Sequence, residues 1–120
     1  MKGNSMDTFT KAFFEALLWS SCGDDGEPLD ATYGVDNIDP NSRKALEIEC
    51  QQFQKEYADS MTMANLTDEQ CGHDFALTRN HHGAGFWDRG LGPIGSFLTT
   101  AAQKFNQVDL YVGDDGTLYY

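Results

Sequence analysis

Asp39-Pro40, followed by apolar residues at Leu46, Cys50, Phe53, Tyr57 and Met61, constrains the fold more than any other feature of this chain. An aspartate can cap a helix by accepting bonds from its free amides, and proline suits the first helical position, where an N–H has no partner anyway. The five apolar residues then recur at i, i+4, i+7 intervals and draw one stripe along a helix. Arg43, Lys44, Glu47, Glu49, Gln51 and Gln52 fall between them and are expected on a solvated face. A helix with a single apolar stripe must bury it, and the flanking segments offer more helix to bury it against.

"DTFTKAFFEALLWSS" places Phe9, Phe13 and Leu17 on one stripe and Phe14 and Leu18 beside it, which is helical spacing. "CGDDGEPLDATYG" then reads as a loop. Thr67 and Gln70 stand at the interval of a capping box, with Leu66 and Cys71 at the two positions of a hydrophobic staple. That start predicts a third helix to about Arg79. Gly92-Pro93 opens a fourth, with Ile94, Phe97, Leu98, Ala101 and Phe105 expected on one side. The period then changes. "VDLYV" and "TLYY" flank "GDDG", and Asp115-Gly116 is placed for a tight hairpin turn. A lone two-stranded hairpin is marginal in water, so it must pack on the helices or pair elsewhere. The expected class is α+β, mainly helical: about four helices with a small C-terminal β-hairpin. Both copies of "GDDG", at 23–26 and 113–116, read as turns, since neither is followed by the ligand ladder of an EF-hand.

With 120 residues, 40% of them hydrophobic, the chain suits one domain over 1–120, with residues 1–6 expected to be disordered. Its formal charge is −11, and residues 1–71 hold fourteen Asp and Glu against five Lys and Arg. That balance argues against direct nucleic-acid binding, which needs cations to neutralise phosphates. It suits solubility, or an acidic face that docks onto a protein with a basic surface. Cys22, Cys50 and Cys71 are odd in number and form no CxxC pair, so reduced thiols are expected. The apolar run "AFFEALLW" is short, carries Glu15 and follows Asp7, unlike a signal peptide. No stretch is long enough for a membrane span.

Residues 72–90, "GHDFALTRNHHGAGFWDRG", concentrate the chemistry. His73, Asp74, Arg79, Asn80, His82, Trp87, Asp88 and Arg89 are the candidate ligand-binding residues; no catalytic residue is assigned. A histidine oriented by a carboxylate can move protons, and an arginine fork can hold an anionic group. The structural alternative is a compact loop anchored by Phe86 and Trp87, with Arg79, Asp88 and Arg89 as struts to glycine-freed backbone. "HD" followed by "HH" is similar in order to the ligands of HD-type phosphohydrolases, but those form a larger helical bundle. Adjacent His81 and His82 do not readily face one ion, so no metal is expected, and no cofactor. Nucleophile, phosphate-loop and dinucleotide signatures are missing.

"HDFALTRNHHGAGFWDRGLG", preceded by "EALLWSSCGDDGEPLD" and followed by "DLYVGDDGTLYY", resembles a family of small uncharacterised proteins encoded by bacteriophages and prophages. The likeness spans most of the chain. This sequence departs from the family pattern at Ala76, where an aromatic is usual, and at His81, where glycine is usual; His82 is the better-matched histidine. The resemblance implies a viral source and the host cytoplasm as location, and it carries no activity. The expected function is that of a non-catalytic accessory protein that binds and modulates a host protein, such as a defence or nucleic-acid-binding component. The alternative is a small hydrolase or nucleotide-ligand-binding protein with its site in residues 72–90.

Overall fold

The computed structural model describes residues 6–22, 26–81 and 85–120. Four helices and a terminal hairpin follow one another: α1 (Thr8–Ser20), α2 (Pro40–Met63), α3 (Asp68–Arg79), α4 (Pro93–Gln103), β1 (Tyr111–Val112) and β2 (Leu118–Tyr119). The fold is mainly helical α+β, as the sequence predicts.

Each of the first three helices begins where a side chain can satisfy its free amides. Asp7 caps α1 by accepting the Thr10 N–H at 2.8 Å, and Gln54 of α2 donates to its other oxygen at 3.1 Å. Burial pushes the Asp7 carboxyl up, but these bonds outweigh it and leave the group below its ordinary value. Asp39 caps α2 through the Ser42 N–H at 3.0 Å. The α3 box is reciprocal: Thr67 Oγ1 accepts from Gln70 N at 3.1 Å, and Gln70 Oε1 accepts from Thr67 N at 3.0 Å.

The stripes meet in one core. Phe9, Phe13, Phe14, Leu17 and Leu18 of α1 and Leu46, Cys50, Phe53, Tyr57 and Met61 of α2 are all buried. Non-helical angles at Tyr57 (φ −117°, ψ 17°) break the regularity of α2 late in its course. Packed along α1 runs α3, buried from Cys71 to Arg79 except at His73. That explains its weak amphipathic pattern, since a helix enclosed on most sides needs no polar face. The Phe75 ring lies 4.3 Å from that of Phe53, 5.5 Å from Phe13 and 5.7 Å from Phe9. Gly72 makes the closest helix approach: a β-carbon there would stand 2.8 Å from the Phe9 carbonyl carbon and nearer still to its oxygen.

Three local expectations are corrected. Met6 packs, partly buried, against the core, whereas residues 1–5, expected to be disordered with it, lie outside the described residues. Glu49 is not part of a solvated face; it turns inward to pair with Arg79. In α4 the inward side is Gly95, Leu98, Ala101 and Ala102; Phe97 is half exposed and Phe105 lies beyond the helix end. The small residues let α4 sit close, which moves its buried face away from the larger Phe97.

Residues 21–38 include the short 3₁₀ turns Leu29–Ala31 and Val35–Asn37. At the other end, Tyr111 pairs with Tyr119 and Val112 with Leu118, antiparallel. Gly116 takes the expected positive φ (78°) in the turn between the strands. The hairpin does pair elsewhere: Leu118 is fully buried, bridges Ile38 in parallel and accepts the Asp39 N–H at 2.8 Å. Among the described residues, no helix is long and apolar enough to cross a membrane.

Candidate functional site

The dense segment divides into an inner half and an outer half. Arg79, in the last turn of α3, is 1% exposed. Its Nε and Nη2 donate to the Asn106 carbonyl at 2.9 and 2.7 Å, and Nη2 forms an ion pair with Glu49 at 2.7 Å. The guanidinium carbon lies 5.2, 5.4 and 5.7 Å from the ring centres of Phe75, Phe105 and Phe13, a cage that favours a cation. Nη1 finds no acceptor among the described residues. Asn80, next in the chain, clips a distant segment: its Nδ2 donates to Val108 O at 3.0 Å and its Oδ1 accepts Val108 N at 2.7 Å. These two candidates act as fasteners between α3 and residues 106–108.

Asp74 and Arg89 make the second fastening. Arg89 binds the 3% exposed carboxylate with two nitrogens, Nε to Oδ2 and Nη2 to Oδ1, the latter at 3.1 Å. The bond to Asp74 raises the Arg89 pKa further above its usual value. This pair ties the turn Phe86–Arg89 back onto α3. Thr78 assists, since its Oγ1 accepts the Phe86 N–H at 3.2 Å. Gly85, at φ 143°, leaves no space for a side chain beside that hydroxyl.

The expected anchor is corrected here. Phe86 is fully buried, and Trp87 stands 53% exposed on the rim of a depression lined by Gly90, Leu91, Gly92, Pro93, Gly95 and Ser96. Adjacent residues of a tight turn point in different directions, and only one can enter the core. Asp88 is likewise exposed, its main-chain N–H bonded to Gly85 O at 3.1 Å. His81 takes the left-handed conformation (φ 54°) just past the helix end. His82 lies outside the described residues.

His73 faces outward, its side chain 44% exposed, into a depression of about 260 Å³ between α1 and α3. Ala12, Glu15, Glu69, Gln70, His73 and Arg89 line it. The imidazole Nδ1 is 3.7 Å from Asp74 Oδ1, too far for a hydrogen bond, and Arg89 already engages both Asp74 oxygens. Asp74 therefore does not orient His73 as it would a general base. Burial pushes the nearby Cys71 thiol up to about 12, which disfavours its thiolate form. Among the described residues, no group of three His, Cys, Asp or Glu side chains is placed to hold a metal. Glu15 and Glu69 line this surface, and the Trp19 ring lies 6.0 Å from that of His73; none of the three was a candidate in the sequence. Their signal was available in the i, i+4 relation of Glu15 and Trp19 on α1 and of Glu69 and His73 on α3.

What the geometry defines is a helical scaffold with two internal arginine fastenings and a shallow acidic groove. Comparison with protein-family models, curated proteins and solved structures finds no match to the chain.

Proposed function

We propose that this chain is a small acidic accessory protein that binds a partner protein through the partner's basic surface and modulates it without catalysis. The observation that carries this reading is the placement of charge. Each arginine has a carboxylate partner within the chain: Arg79 is buried against Glu49, Arg89 is bound to Asp74, and at the surface Arg43 lies between Asp36 at 3.8 Å and Glu47 at 4.0 Å. Carboxylates such as Glu15, Asp30, Glu56, Asp59, Asp68 and Glu69 are exposed. Lys11, Lys44, Lys55 and Lys104 are exposed as well, but carboxylates outnumber them, and the net charge of −11 steers basic proteins toward the chain and repels nucleic acid. With the resemblance to phage-encoded proteins, the partner is a host protein and the site of action the host cytoplasm. The Asp74–Arg89 and Arg79–Glu49 pairs serve the fold in this reading, which leaves no free catalytic pair among the described residues of the dense segment.

The test is affinity capture from host lysate, followed by titration of the purified partner at rising salt. Exposed charges are screened over roughly 10 Å at 0.1 M, so affinity should fall steeply with salt. Charge reversal at Asp30, Glu56 and Asp59 should weaken binding more than reversal at Asp114 and Asp115. A partner indifferent to both salt and these reversals would refute the reading.

A further inference from the structure

We infer that the outer edge of β1 receives an extended basic segment of the partner protein, which adds a strand to the terminal sheet. This rests on the reading above: exposed carboxylates on the helices steer the partner, and the edge holds it. The ladder decides which main-chain groups are open. The Gly113 N–H donates to Thr117 O at 2.8 Å, and bonded pairs alternate in an antiparallel ladder, so Tyr111 with Tyr119 is the next bonded pair. Val112 lies between the two and turns its N–H and C=O away from β2. Leu110, two residues back along the same edge, is buried. Among the described residues, nothing bonds the main-chain groups of Leu110 or Val112. The opposite edge of the sheet is taken, since Leu118 accepts the Asp39 N–H and bridges Ile38. An open strand edge is a template for a further strand.

The edge is held in shape by its own hairpin. Tyr119 Oη donates to Asp115 Oδ2 at 3.1 Å, and its ring lies so close over Gly113 that a β-carbon there would stand 2.6 Å from it. The Tyr111 ring stacks on it at 5.6 Å and stays 60% exposed. Charge selects the occupant. From Phe105 to Tyr120 the chain carries three aspartates and no lysine or arginine. Asp115 is engaged by Thr117 and Tyr119, whereas Asp109 is exposed. Burial alternates from Val108 to Tyr111, which puts Asp109 on the Tyr111 side of the edge. In an added strand, the residues opposite Leu110 and Val112 make the main-chain bonds, and the residue between them falls on the Tyr111 side. A cation there meets an aromatic ring and a carboxylate. A second copy of this chain would instead bring a further charge of −11 and another Asp109, so self-pairing is disfavoured.

The probe is the acetylated, amidated peptide Arg-Val-Arg-Val-Arg, titrated while the main-chain amides are followed by NMR. The expected result is a saturable shift and slowed exchange of the Leu110 and Val112 amides. The same peptide N-methylated at both valines should bind about tenfold more weakly to the unaltered protein. Val112→Pro removes an N–H that the hairpin does not use, so it should weaken binding similarly at an unchanged melting temperature. Binding that leaves these two amides unmoved, or that tolerates N-methylation, overturns the edge. So does no binding at low salt. In each case the basic-partner reading is judged separately, by salt and charge reversal on the captured partner. Equal affinity for Glu-Val-Glu-Val-Glu overturns the basic occupant, and a dimer in sedimentation that Val112→Pro abolishes overturns the partner segment in favour of a second copy.

Discussion

Replacing Gly72 with alanine should reverse the usual sign of that substitution. In an ordinary helix interior, alanine is favoured over glycine by about 1 kcal/mol, because it restricts the unfolded chain more. At Gly72 the added carbon would lie 2.8 Å from the Phe9 carbonyl carbon and 3.1 Å from its α-carbon. Both are backbone atoms, so no side chain can rotate away and α1 and α3 must part. That separation loosens the rings of Phe9 and Phe13 against Phe75. Overpacking costs about 1–3 kcal/mol where repacking is possible, and more where backbone must move. Set against the propensity gain, a net loss of about 3 kcal/mol is expected. For a domain of this size that corresponds to a melting temperature lower by about 10–15 °C. Circular dichroism during heating, and urea titration for the free energy, would measure it. Gly34→Ala is the control, since nothing lies within 4 Å of a β-carbon there. A Gly72→Ala protein as stable as the parent would refute the packing argument.

Phe86→Ala should cost about 3–5 kcal/mol, as for other buried phenylalanines, while Trp87→Ala should change stability by less than about 1 kcal/mol; comparable losses from the two would contradict the assignment of Phe86 as anchor. His81→Gly should stabilise the protein by about 0.5–1 kcal/mol, by relieving a left-handed residue at the end of α3, and a lower denaturation midpoint would count against this. In alkylation at pH 8, exposed Cys22 should react in the native protein, whereas Cys50 and Cys71, whose thiols burial pushes up, should react only after denaturation. Mass spectrometry of partly labelled protein decides it, and early label at Cys71 would be the contrary result.

Local signals were legible where the cause is itself local. The caps at Asp39 and Thr67 and the stripe from Leu46 to Met61 involve residues a turn or two apart, and all fall where spacing places them. Gly116 is likewise a matter of one turn. The interior charge was not legible. Arg79 closes a helix, where a cation is expected to meet solvent, and its partners Glu49, Phe13 and Asn106 come from remote parts of the chain. Glu49 looks solvated because it neighbours Cys50 on the edge of the stripe, and only the third helix shows why it turns inward. Nor does spacing distinguish Phe86 from Trp87, since a short turn offers no period. The dense run of polar residues marked a real concentration of interactions, but several of its members hold the backbone together.

The main-chain N–H of Tyr120 reaches Ser42 Oγ at 3.0 Å, across 78 residues, next to the bridge between Leu118 and Ile38. Closing a loop of that length in a disordered chain has an entropic cost of about 4 kcal/mol beyond a constant. A few hydrogen bonds, each contributing about 1 kcal/mol net, do not offset it alone. The hairpin's seat therefore depends on the helices holding Ile38 and Ser42 in position. In hydrogen exchange, the amides of Asp39 and Tyr120 would open before those of α3.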